Sequence, residues 1–129
     1  MYILHKKEGI NMDKRALDFI VEKSHELINS PTCCKEANYA AQSWLDSLGT
    51  ANEAAETRKF IEELEADIMP IDNLIGFAGS EEGSKYFGTE TAENIVIHAK
   101  QIKSNGAVYC DCPACAAAEA ILSKKNIIL

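Results

Sequence analysis

The amino-acid sequence predicts an all-α protein, a compact single-domain bundle of five to seven helices. Three observations carry this expectation. Apolar residues recur at three- and four-residue spacing along most of the chain, and Gly, Pro and short polar residues punctuate the patterned segments. No stretch alternates apolar and polar residues for long enough to build a sheet. With 129 residues, 47% of them hydrophobic, the chain has the length and apolar content for one core that needs no disulfides.

The elements follow in order. Residues 1–11 fit no amphipathic pattern and Met12-Asp13 reads as a second start. That stretch is expected to be an N-terminal extension, disordered or a start-site remnant, ahead of one helical domain over 12–129. A first helix over 13–29 carries Leu17, Ile20, Val21, Leu27 and Ile28 on one face and stops at Asn29-Ser30-Pro31. Ser30-Pro31-Thr32 offers a cap with proline in the first turn, so a second helix is expected to begin around Cys33-Cys34. It carries Ala37, Ala40, Ala41, Trp44, Leu45 and Leu48 as far as Gly49, a natural residue just past a helix end. Thr50-Ala51-Asn52-Glu53 matches a capping box, and Ala54, Ile61, Leu64 and Ile68 continue the helical spacing to Pro70.

Between Pro70 and Gly88 the apolar residues Leu74, Ile75, Phe77, Ala78, Tyr86 and Phe87 are interrupted by Gly76, Gly79 and Gly83. Two short helices or turns are expected there, with Asp72 capping the first and Ser80 the second. Thr89 to Asn105 regains a clean pattern, capped by Thr89 or Thr91, with Ala92, Ile95, Val96, Ala99 and Ile102 facing inward. A last helix runs from about Pro113 through Ala117, Ala118, Ile121 and Leu122 to Lys124-Lys125, whose charges suit a helix C-terminus. Small-residue faces at Ala37, Ala40, Ala41 and at Ala114, Ala116, Ala117, Ala118 predict that the second helix packs on the last.

Composition removes several function classes. Thirteen basic against 20 acidic side chains give a net charge of −7, with no Lys/Arg cluster to neutralise phosphates, so nucleic acid is not an expected partner. The longest apolar runs fall far short of the ~20 residues that cross a bilayer, and the N-terminus lacks the long apolar region of a secretory signal. No membrane partner is expected, and the cytoplasm is the expected location. Gly76, Gly79 and Gly83 lack phosphate-loop spacing, and no Glu-x-x-His pair exists for a di-iron bundle site. No catalytic constellation emerges, which favours a non-enzymatic role. Glu62, Glu63, Glu65 and Asp67 read as a solvated helix face. The apolar tail Ile127-Ile128-Leu129 either packs back onto the bundle or serves a homo-oligomer or protein partner.

The chemistry lies in five cysteines: Cys33, Cys34, Cys110, Cys112 and Cys115. An odd number in two clusters argues for metal binding or thiol chemistry over a disulfide framework. Cys112-Pro-Ala-Cys115 can offer two thiolates to one tetrahedral ion, and Cys110 a third. If the second helix lies beside the last, Cys33 or Cys34 completes a four-sulfur site, the other being spare, because adjacent helical residues point about 100° apart. Four thiolates suit structural zinc, with an iron–sulfur cluster as the lesser reading. Both clusters fall at expected helix starts, where backbone amides stabilise thiolates, so a thiol redox protein or sensor using Cys112 and Cys115 is the rival. Small buried hydrophobes are the bland alternative, weighted equally with ligation for Cys33 and Cys34 but not for the C-terminal trio. His25 and His98, at the edges of apolar stripes, are expected to be structural more often than ligating.

With Pro31-Thr-Cys-Cys34, Asp67-Ile-Met-Pro-Ile-Asp72 and Cys110-Asp-Cys-Pro-Ala-Cys-Ala-Ala-Ala-Glu-Ala-Ile-Leu122 in view, the chain from Met12 onward resembles a family of small all-α cysteine-containing proteins from anaerobic bacteria. That family has no established activity, and some members are labelled heat-shock or chaperone-like. The resemblance implies a chaperone-like or protein-interaction module as a further alternative. It implies no catalytic residues, and an ATPase of the ninety-kilodalton chaperone class needs a nucleotide domain larger than this chain.

Overall fold

A computed structural model describes the backbone from Tyr2 to Leu129 and side chains from Lys14 onward. The protein is all-α, and among the described residues there are eight helices and no strand. They are α1 (Tyr2–Asn29), α2 (Lys35–Ser47), α3 (Glu53–Asp67), α4 (Ile71–Ala78), α5 (Glu81–Phe87), α6 (Thr89–Ser104), α7 (Pro113–Leu122) and α8 (Lys125–Ile128). The count exceeds the expected five to seven because the chain turns at Ser123-Lys124, and the tail forms the short α8. Helix α1 begins at Tyr2, well before the expected start at Asp13. The expectation that residues 1–11 stand apart from the domain falls on side chains outside the described residues.

The chain forms two compact units, one of residues up to Asp67 with Cys112–Leu129, the other Ile68–Asp111. In the first, α1 packs on α7, α2 and α8, while α3 packs on α2 and α7. Its core gathers Ile20 and Leu27 of α1, Ala37, Ala41 and Trp44 of α2, Phe60, Ile61 and Leu64 of α3, and Ala114, Ala117, Ala118 and Ile121 of α7. The last helix therefore lies chiefly against α1 and not, as the alanine faces suggested, against α2. Its small residues permit close approach to whichever helix topology supplies. Trp44 stacks on Phe60 with ring centroids 5.4 Å apart and donates its indole N–H to Thr57 Oγ1 at 2.8 Å. Thr57 in turn donates to the Glu53 carbonyl at 2.7 Å, so the indole and the hydroxyl are both satisfied.

In the second unit α6 packs on both α4 and α5. Ser80 caps α5 as expected, accepting from Gly83 N at 3.1 Å. Asp72 does not cap α4; Pro70 precedes the helix, and Asp72 sits in its first turn and pairs with Lys103 at 2.6 Å. Neither Thr89 nor Thr91 caps α6, whose N-cap is Gly88 at φ 89°, a left-handed conformation that glycine adopts without strain. The Thr50 capping box is also modified. The Glu53 carboxylate reaches past Thr50 to accept from Gly49 N at 2.8 Å.

Candidate metal centre

The segment leading into α7 is held extended before it becomes helical. Ile71 N donates to Val108 O and Cys110 N to Met69 O, each at 2.8 Å, and Pro70 and Tyr109 form an isolated antiparallel bridge. Two residues later Pro113 opens α7. A residue before proline is driven out of the helical region. Cys112, at φ −62° and ψ 158°, accordingly takes the extended geometry of an N-cap. Its Sγ accepts a hydrogen bond from Cys115 N at 3.4 Å. One turn of helix thus carries Cys115 back toward Cys112, while the extended chain brings Cys110 to the same place.

The sulfurs of Cys110, Cys112 and Cys115 all lie within 4.8 Å of one another, and all three residues are half-buried. Two sulfurs bound ~2.3 Å from one tetrahedral ion stand ~3.8 Å apart, so small rotamer adjustments suffice to close the trio on an ion. These three cysteines are placed to hold a metal, as their spacing suggested.

Cys33 and Cys34 do not join that trio. They also lie outside the helix they were expected to begin. Cys34 is the N-cap of α2 at φ −72° and ψ 160°, its Sγ accepting from Ala37 N at 3.4 Å, and Cys33 precedes it in the turn between α1 and α2. The 100° separation of helical neighbours therefore does not govern them. The turn is tied to α7 nonetheless: Ala114 N donates to Thr32 Oγ1 at 3.3 Å.

The expectation that helix starts lower both thiols' pKa is reversed here. Burial pushes the Cys33 thiol up, and the neighbouring Cys34, Asp67 and Cys112 add to the rise. Burial also raises Cys34; the Ala37 amide pulls the other way, but the Asp67 carboxylate adds to the increase. Like charge and desolvation outweigh one amide hydrogen bond.

Asp67, assigned from sequence to a solvated face, is the residue this region adds. It is half-buried at the end of α3, and its Oδ2 is enclosed with no hydrogen-bond partner among the described residues. A hydrogen bond with Asp67 raises the carboxyl of Glu63, one turn earlier, with slight burial and the charges of Asp67 and Glu36 adding. No local signal marks Asp67, because only packing brings the end of α3 to the α1–α2 turn. His98 contacts Asp111, between Cys110 and Cys112, with Nε2 2.8 Å from Oδ2, and is not grouped with the thiols. His25 is exposed.

Compared with protein-family models, curated proteins and solved structures, the chain matches none. Among the described residues, no helix is long and apolar enough to cross a membrane.

Proposed function

We propose that this protein binds one zinc ion through the thiolates of Cys110, Cys112 and Cys115, with a fourth sulfur from the Cys33-Cys34 pair, and that the ion is structural. The observation that supports this most is the mutual approach of three sulfurs within 4.8 Å. Soft thiolates in a tetrahedral set favour zinc, and an iron–sulfur cluster is the lesser occupant. The ion would link the extended segment before α7 to the first turn of that helix. In a four-sulfur site no coordination position is left for substrate, which is the mark of a structural site.

A second reading draws on the hydrogen bond from Cys115 N to Cys112 Sγ, which stabilises a thiolate at Cys112 and fits a redox-active Cys112-Pro-Ala-Cys115 pair. One experiment separates the two. Protein purified anaerobically is expected to carry about one zinc per chain by elemental analysis. Absence of both zinc and iron, together with alkylation of Cys112 faster than an ordinary thiol at neutral pH, would replace the metal reading with the redox one.

A further inference from the structure

We propose that Cys33, and not Cys34, supplies the fourth sulfur to the ion held by Cys110, Cys112 and Cys115. The inference rests on the metal reading above and names one ligand within it.

Burial first sets the two candidates apart. Cys33 shares the half-buried state of Cys110, Cys112 and Cys115, whereas Cys34 is exposed. A structural ion is shielded by the chain that wraps it, so four half-buried sulfurs form a more coherent set than three with an exposed fourth.

The second distinction is what each thiol faces. The Cys34 sulfur is turned into its own helix, accepting from Ala37 N at 3.4 Å. Cys33 caps nothing. Its thiol donates to the Cys34 carbonyl at 3.4 Å, and Cys112 lies close enough to interact with it, as Asp67 does.

The third is attachment. Thr32 Oγ1 accepts from Ala114 N, an amide in the first turn of α7, between Cys112 and Cys115 in sequence. Cys33 follows Thr32 directly, so its Cα lies ~3.8 Å from that of an anchored residue. An ion that recruits Cys33 would fasten the α1–α2 turn to the start of α7, adding sulfur to the junction that the Thr32 hydroxyl makes. Cys34 is then the spare thiol of the five, and its work is to cap α2.

The test uses full-length protein under anaerobic conditions with cobalt(II) as the probe. Cys33→Ser is expected to lose about a quarter of the sulfur-to-cobalt charge-transfer intensity, one sulfur of four, and to bind cobalt at least ~10-fold more weakly in chelator competition. Cys34→Ser is expected to keep the full intensity and bind within about twofold of wild type. Loss in Cys34→Ser with Cys33→Ser unaffected overturns the assignment, as does full intensity in both variants. Alkylation mapping of the loaded wild type needs no folded variant: Cys34 is expected to react while Cys33 is protected, and the reverse pattern also overturns the assignment. Failure of wild type to take up cobalt or zinc at all defeats the metal reading itself, a result distinct from either of these.

Discussion

Thr57 shows how much one polar atom can decide inside an apolar core. Its hydroxyl accepts the Trp44 indole N–H at 2.8 Å and donates to the Glu53 carbonyl at 2.7 Å, with both side chains buried. Thr57→Val keeps the shape but strands the indole donor. A buried donor without a partner costs about 1–3 kcal/mol, so the urea midpoint is expected to fall by the equivalent amount with an unchanged denaturant slope. An unchanged midpoint would show that the indole finds water instead. Trp44 was legible in the sequence as core, since it lies on the apolar stripe of α2. Thr57 was not, because a threonine in a polar helix has no periodic signature and its role depends on a partner 13 positions away. Asp67 was hidden in the same way, inside an acidic run that reads as solvated.

At the scale of elements, glycines separate what sequence reading can and cannot see. Gly76, Gly79 and Gly83 all read as interruptions, yet Gly76 lies within α4 and Gly83 within α5. A Cβ on Gly83 would stand 1.9 Å from the Phe77 carbonyl oxygen, and backbone cannot swing aside as a flexible side chain can. Gly83 is there so that α5 can approach the end of α4. Gly83→Ala is expected to destabilise the Ile68–Asp111 unit by about 1–3 kcal/mol, the range for forcing extra volume into packed structure. Amide exchange should quicken in α4–α6, and unaltered exchange there would refute the close approach. Gly76, by contrast, has nothing within 4 Å of an added Cβ. Gly76→Ala is expected to stabilise that unit by about 0.5–1 kcal/mol in the same exchange experiment, through a less flexible unfolded chain and better helix propensity. Both glycines look alike in the sequence, and only the packing of α5 on α4 gives them opposite signs.

For the whole molecule, a ligand that binds only the folded chain raises stability by mass action. Zinc at a free concentration 100-fold above its dissociation constant adds about 2.7 kcal/mol. For a protein of this length that is a rise in Tm on the order of 10 °C, reversed by a chelator and measurable by calorimetry. A melting curve indifferent to zinc and chelator would rule out a structural ion. By itself the sequence determined the helical class, most element positions and the C-terminal thiol trio. Those properties are local: periodicity, caps, and the proline that forces Cys112 into an N-cap while one helical turn returns Cys115 toward it. Tertiary structure alone decided that α7 packs on α1, that the α1–α2 turn is tied to α7 through Thr32, and that Cys33 and Cys34 stand outside the trio. The physical reason is that alanine faces accept many neighbours, so their partner is chosen by the competition of all packing surfaces at once.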